Sequence, residues 1–264
     1  MRSRGTFAAL GTTFEVRGGR LGRSLGEAFA DVASPRAAEH RLEVVRRGPD
    51  RWTVRSDGEV RARDADRLNA QTAAMVAVDE LALASVAATD TVLCGGAVEI
   101  AGLAVAFVGR RRSVGWMVAS SALRGHGYVT DGVVAIDPEG LVRPFHRPVE
   151  LRESALASLG PERPAGTSWQ GNALLRIGGR APLSNGAPLG LIVFAEQNYP
   201  DSCAARVPPS AALARLANHA VAATGHERVM FRRLEQLVRR VPVIVGAEDD
   251  IESTIDAARE AIRR

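Results

Sequence analysis

The chain has 264 residues, of which 46% are hydrophobic and 24% charged, and its formal net charge is +4. This composition is typical of a soluble globular protein, and the small excess of positive charge argues against a nucleic-acid-binding surface. No apolar stretch reaches the roughly 18 residues that a membrane span requires, and residues 1–20 lack the apolar core of a signal peptide. We therefore expect a cytoplasmic protein that contacts neither nucleic acid nor membrane.

Arginine is the only long basic side chain, because the chain contains no lysine and all 34 Lys and Arg positions are arginine. The two cysteines, Cys94 and Cys203, are far apart and lack the spacing of a metal site or a disulfide scaffold. We expect Cys94 to be a small buried hydrophobic residue rather than a nucleophile.

The first part of the chain, residues 1–78, is predicted to form a small α/β module. Alternating apolar and polar residues predict its strands, and apolar residues at helical spacing predict its helices. In chain order we expect strand pattern over Gly5–Val16, a helix over Leu21–Val32, strands within Arg41–Ser56, and a helix over Asp64–Ala88 that leads into the second unit.

The second unit is predicted to cover residues 79–264 and to be larger. Short apolar runs separated by glycines indicate strands, and amphipathic periods indicate C-terminal helices. The predicted elements are a hairpin of Leu93–Ile100 and Leu103–Val108, a basic loop over Gly109–Gly115, a helix over Trp116–Arg124, strands over Tyr128–Asp137, Ala173–Ile177, Leu189–Phe194 and Val241–Val245, and helices over Ser210–Ala223, His226–Arg240 and Asp250–Arg264.

One stretch of this unit has the order strand, glycine-started loop, helix, Gly-His turn and a strand that reaches an aspartate. A strand that feeds such a loop and then a helix is a common way to bind phosphate, because backbone N–H groups and the helix N-terminus attract anions. The stretch resembles the HPr kinase/phosphorylase family, and more closely the HPr-kinase-like proteins found among bacterial peptide-biosynthesis genes. The matching segments are Leu93–Val98, Gly102–Val105, Arg124–His126, Val129–Asp131 and Leu237–Pro242.

The resemblance implies a P-loop HPr-kinase-like core with a mixed sheet flanked by helices, preceded by the small N-terminal α/β module. It also implies ATP and Mg²⁺ as cofactors, a phosphate loop, and Asp131 as the catalytic acid/base. Its relatives form oligomers, so a homo-oligomer is one expectation. The candidate phosphate-binding residues are Gly109, Arg110, Arg111, Arg112, Ser113 and Gly115.

The chain departs from the family at the residues that perform the chemistry. The lysine position falls on Val114 or Gly115, and the hydroxyl that holds Mg²⁺ becomes Gly115 or Trp116. Cys94 replaces the histidine of the preceding strand, and Gly132 replaces the acid after Asp131. We therefore predict a degenerate phosphate loop and a catalytically inactive pseudokinase, with no bound cofactor, that binds or scaffolds a peptide or protein partner.

Several interpretations of these residues stay open at this level. The run Arg110–Arg112 could bind an anion or be a solvated turn, and Asp131 could be a residual base or a relic of the fold. Trp116 and Met117 could plug the pocket or belong to the helix core, and His126 is expected to be structural. The alternative function is an active or attenuated ATP-dependent serine kinase, or another enzyme that uses the same pocket; a third is a pure assembly module.

Overall fold

Helices lie against three β-sheets in the described part of the chain, which confirms the mixed α/β architecture predicted from the sequence. Among those helices, none combines the length and the apolar character needed to cross a membrane. Cys203 lies outside the described residues. The computed structural model describes residues 5–152, 155, 159, 167–169, 172–196, 205–247 and 251–263.

The N-terminal unit is a five-stranded sheet in which neighbouring strands follow the order of the chain. The pattern predicted over Gly5–Val16 forms a hairpin of two strands, because Leu10 and Gly11 both have positive φ and reverse the chain. The last strand was not predicted, because it is an edge strand whose side chains are mostly exposed and charged. The strands are β1 (Gly5–Ala9), β2 (Thr12–Gly18), β3 (His40–Gly48), β4 (Arg51–Ser56) and β5 (Glu59–Ala65).

Two helices cover this sheet. Helix α1 (Arg20–Ala28) connects β2 to β3, which are parallel, and helix α2 (Arg67–Val86) packs on β4 and β5. Asp66 caps α2 by accepting a hydrogen bond from the Asn69 backbone N–H at 2.8 Å, as aspartate commonly does. Because α2 is continuous to Val86, the division drawn between residues 78 and 79 falls inside a helix.

Within the described residues, the central sheet has nine strands and holds the stretch that resembles a kinase core. Strands β6 (Thr91–Ile100) and β7 (Leu103–Gly109) form the predicted hairpin. Beyond β7 the strands β14 (Ala187–Glu196) and β17 (Val243–Ala247) are parallel to it and to each other. The carboxyl ends of β7, β14 and β17 therefore lie at one edge of the sheet, which we call the strand-end edge.

On the other side of β6 lie two short strands, β8 (Gly127–Thr130) and β9 (Val133–Ile136). The prediction of one strand over Tyr128–Asp137 was wrong, because Asp131 and Gly132 bend the chain and Gly132 has a φ of +81°. The turn that follows β9 closes as expected, with the Gly140 backbone N–H donating to the Asp137 carbonyl at 3.0 Å.

The remaining elements complete the central sheet, form a three-stranded sheet beside it, and cover both. The helix predicted over Ser210–Ala223 ends early, because residues 220–221 leave it and pair with β6. The strands are β10 (Leu141–Val142), β11 (Val149–Arg152), β12 (Thr167–Trp169), β13 (Asn172–Leu175), β15 (Ala205–Arg206) and β16 (Ala220–Val221), and the helices are α3 (Arg111–Leu123), α4 (Pro209–Ala217), α5 (Glu227–Arg240) and α6 (Ile251–Arg263).

Apolar side chains join the N-terminal unit to the central sheet. Val92, Val133, Ala135 and Phe145 of the second unit are buried in one cluster with side chains of β1 to β4, α1 and α2. Two further clusters lie on the two faces of the central sheet, one under α3 and α6 and the other under α4 and α5. The strand-end edge is therefore held by packing from several sides.

Candidate functional site

A single residue connects β7 to α3 at the strand-end edge. Strand β7 ends at Gly109, helix α3 begins at Arg111, and only Arg110 lies between them. The carbonyl of Arg110 accepts hydrogen bonds from the backbone N–H groups of Ser113 and Val114, both at 3.0 Å. The predicted loop over Gly109–Gly115 is therefore wrong: all but its first two residues are helical.

The start of α3 was predicted as a loop because of the residue at its N-cap. Arg110 occupies the N-cap position without a capping side-chain bond, and arginine is not one of the preferred cap residues. The helix start therefore carries no sequence signal. Helix α3 forms there because its buried face packs against β6, β7 and β11.

The two positions expected for the lysine face the protein interior. Val114 is 1% exposed and belongs to the cluster beneath α3. A Cβ atom on Gly115 would lie 2.5 Å from the carbonyl oxygen of Glu150, so the backbone of β11 occupies the space where a longer side chain would point. Met117 is buried in the same cluster and Trp116 packs against it, which identifies both as helix core.

The rest of the predicted phosphate-binding set is also tied to packing. A Cβ atom on Gly109 would approach the Ala195 carbonyl oxygen to 3.0 Å, so glycine allows β7 and β14 to lie close. Ser113 is buried and Arg110 is exposed. The backbones of Arg111 and Arg112 form the first turn of α3, and their side chains lie outside the described part of the chain.

Asp131 is completely buried at the end of β8. Its Oδ2 atom accepts a hydrogen bond from the backbone N–H of Glu150 at 3.2 Å. The next residue, Gly132, stands where the resemblance to HPr kinases implies an acid, and a Cβ atom there would lie 2.7 Å from Nη1 of Arg147. The guanidinium of Arg147 thus takes the space beside Asp131.

Arg147 is the residue that sequence reasoning missed. It is 1% exposed, and its Nη1 donates to Oδ2 of Asp79 on α2 at 2.6 Å. Burial lowers the pKa of Arg147, but the surrounding groups, Asp79 and then Asp131 foremost, together raise it above its usual value, so the guanidinium is charged. A single arginine in a proline-rich irregular segment gives no signal of burial, and only the fold shows its role.

Tyr128 completes this buried polar cluster. Its hydroxyl donates to the backbone carbonyl of Arg147 at 2.6 Å. Burial, and then the nearby charge of Asp131, raise the pKa of Tyr128 well above its usual value. The phenol therefore stays neutral and acts as a hydrogen-bond donor that fixes the segment carrying Arg147.

Cys94 does not lie in the environment that the sequence predicted for it. Cys94 is exposed, not buried as predicted, and it lies one residue beyond Gly95–Val108, the last pair between β6 and β7. Its backbone N–H donates to the carbonyl of His219 at 2.7 Å.

His126 lies 3.3 Å from the guanidinium of Arg259 on α6. Burial, and then the positive charges of Arg259 and Arg124, lower the pKa of His126.

Within the residues that the structure describes, no three His, Cys, Asp or Glu side chains are grouped so that they could hold a metal ion. No protein-family model matches the chain, and no curated protein matches it. The likeness to HPr kinases therefore stays a hypothesis that rests on short motifs in the sequence.

Proposed function

We propose that this chain is a catalytically inactive relative of HPr-kinase-like proteins that binds or scaffolds a peptide or protein partner. The observation that carries the proposal is the connection from β7 to α3, which consists of Arg110 alone. A phosphate loop of the type Gly-x-x-x-x-Gly-Lys-Ser/Thr needs several successive residues outside the helix, so that their N–H groups can surround the phosphates. One residue cannot form such a cradle.

The missing side chains support the same conclusion. Val114 and Gly115 occupy the lysine position, and both face packed backbone or core rather than the strand-end edge. Losing one preorganised donor costs about 2.7–4 kcal/mol of transition-state stabilisation, and phosphoryl transfer depends almost wholly on such donors and on positioning. The combined loss would leave little or no activity.

Asp131 gives a third support. A general base must come within hydrogen-bond distance of the proton that it removes. Asp131 has no exposed surface, and its carboxylate accepts a backbone hydrogen bond next to the guanidinium of Arg147. This environment suits a residue that stabilises the fold.

Nucleotide binding is the first test. We expect ATP with Mg²⁺ at millimolar concentration to leave the melting temperature unchanged and to give no heat in isothermal titration. A ligand present at about 100 times its Kd would stabilise the folded state by about 2.7 kcal/mol, which is easily measured. Saturable binding that is lost in Arg110→Ala, an exposed position, would contradict the proposal.

Phosphoryl transfer is the second test. We expect no transfer of radiolabelled phosphate from ATP to serine-containing peptides. Transfer that disappears in Asp131→Asn, while circular dichroism shows that this variant is folded, would instead establish an active kinase. A cytoplasmic location and a role in peptide natural-product biosynthesis are parts of the proposal that follow from the sequence and the resemblance, and cell fractionation and the neighbouring genes test them.

A further inference from the structure

Helix α5 carries a row of exposed side chains on the first two turns of its solvent face. Val229 is 42% exposed and Phe231 is 47% exposed, and Arg228 and Arg232 are exposed beside them. Residues three or four apart are neighbours on a helix surface. Phe231, Arg228, Arg232 and Val229 therefore form one continuous row, which we call the α5 row, with an apolar side chain at each end.

The two arginines of the α5 row are not neutralised. Arg239 pairs with Glu235 at 2.6 Å, and Arg233 donates to the carbonyls of Ala88 and Asp90 at 3.0 Å each. In contrast, neither Arg228 nor Arg232 forms an ion pair with another residue of the described chain.

The acid at the start of α5 does not neutralise them either. Glu227 accepts a hydrogen bond from the Gly225 backbone N–H at 3.1 Å, ahead of the helix. The α5 row thus presents two available guanidinium groups side by side.

The row is not needed to hold the helix in place. Leu234 and Val238 are on the buried face of α5, and Arg233 connects the helix to the segment before β6 through hydrogen bonds. A single exposed apolar side chain is ordinary on a protein surface. An aromatic and an aliphatic side chain that bracket two unpaired arginines instead resemble the centre of a recognition surface, where aromatic residues and arginine are enriched.

We propose that the α5 row is the docking site for an acidic peptide segment that carries apolar side chains, and this inference rests on the partner-binding function proposed above. Charge complementarity selects the occupant: guanidinium groups bind carboxylates through paired hydrogen bonds. All four side chains lie within residues 228–232, about one and a half turns of helix, so the row follows the helix circumference and is compact. An extended segment of a few residues is long enough to cross it.

The test measures binding of a short fluorescein-labelled peptide containing Leu-Asp-Glu-Asp-Leu to the full chain by fluorescence anisotropy. We expect saturable binding that weakens as salt is raised, because the charges lie at the surface. The charge-reversed variant Arg228→Glu/Arg232→Glu should weaken binding by about tenfold or more, and Phe231→Ser by a similar factor. The same peptide with Asn and Gln in place of Asp and Glu should bind much more weakly.

The matched control is Arg239→Glu/Arg240→Glu, which changes the net charge by the same amount on the same helix outside the row. It should change the Kd by less than about twofold, since distant exposed charges contribute little. Equal loss in both double variants would overturn the proposal, as would the absence of saturable binding at low salt. Binding of anionic phosphatidylserine vesicles but not the peptide would overturn it in favour of a membrane surface.

Sedimentation of the variants distinguishes a contact between two copies of the chain. If Arg228→Glu/Arg232→Glu changes the oligomeric state and leaves peptide binding intact, the row is a self-association surface and the proposal fails. The nucleotide and phosphotransfer assays are independent of these results. An inactive protein that does not bind the peptide would refute the α5 row alone, and an active kinase that binds it there would refute only the inactive function.

Discussion

Arg147 of the second unit, which is buried, and Asp79 of helix α2, which is half-buried, form an ion pair with 2.6 Å between Nη1 and Oδ2. The same guanidinium fills the space above Gly132 and lies beside Asp131. The pair therefore connects the N-terminal unit to the residue that the kinase resemblance assigns to catalysis. In this chain Arg147 and the residues around it form a polar packing contact, and the free energy that this contact contributes to folding can be measured.

Removing one partner of this pair should destabilise the protein strongly. Asp79→Ala leaves the buried charge of Arg147 with less compensation, and such losses amount to about 3–5 kcal/mol. We expect a clear drop in the urea midpoint. The neighbouring substitution Glu80→Ala removes only the exposed contact with Arg61, which is 3.3 Å long, and should cost less than about 1 kcal/mol.

A double-substitution cycle checks the cause of that loss. In Asp79→Ala/Arg147→Met both charges are gone and an apolar chain fills the site, so part of the stability lost in Asp79→Ala should return. Equal urea midpoints for Asp79→Ala and the unmodified chain would show that the pair is not coupled to folding.

Asp131 should behave as a structural residue. In Asp131→Asn the amide oxygen can still accept from the Glu150 N–H, but the negative charge beside Arg147 is lost. Hydrogen bonds to charged groups contribute about 1.5–3 kcal/mol, and we expect a loss of that order in denaturant unfolding. Residues that serve catalysis often lower the stability of a protein, so replacing them often raises it. A stabilised Asp131→Asn variant would therefore indicate a catalytic role. Asp137→Asn, in an exposed turn, is the control.

Two glycine-to-alanine substitutions in helices should have opposite effects. Alanine is favoured over glycine in a helix by about 1 kcal/mol. Gly26→Ala in α1 meets no atom within 4 Å and should raise the melting temperature. Gly115→Ala in α3 places a Cβ atom 2.5 Å from the Glu150 carbonyl oxygen, so α3 must move from β11 and the melting temperature should fall. A stabilising Gly115→Ala would mean that this close packing does not exist.

Stability should fall below neutral pH in a way that depends on His146. Burial keeps the pKa of His146 below its ordinary value of 6.5, although hydrogen bonds such as that from Nε2 to the Ser184 carbonyl at 2.8 Å oppose the shift. Between 6.5 and the lowered pKa, the unfolded chain binds a proton that the folded chain does not. The contribution of neutral His146 to the free energy of unfolding is thus fully present above about pH 6.5, and it is lost as the pH falls through that window.

His146→Gln should make the unfolding midpoint less dependent on pH in that window, because the glutamine amide can keep the hydrogen bond without titrating. The control is His226→Gln, the same substitution at an exposed histidine. The same slope in both variants would assign the effect to other groups, such as His126 and His219, whose pKa values are also lowered, chiefly by burial.

Much of the fold was predictable because its signals are local. The hairpin of β6 and β7 follows from two apolar runs around Gly102, and α2 follows from apolar residues at helical spacing. Helix α5 was placed to within one residue for the same reason. The start of α3 was missed because Arg110 is a poor cap, and β5 was missed because an exposed edge strand has no buried side to give it a period.

Some features of the candidate site likewise follow from residue type, and others depend on tertiary packing. From the sequence alone it was already determined that Val114, Gly115, Trp116 and Gly132 lack the lysine, hydroxyl and acid that the resemblance implies at these positions, because this is a matter of residue type. The tertiary structure alone decided that Arg110 is the whole connection from β7 to α3, that Asp131 is buried, and that Arg147 fills the space over Gly132. Asp79 and Arg147 are 68 positions apart, and no local pattern encodes a contact that forms only when two segments distant in the chain pack together.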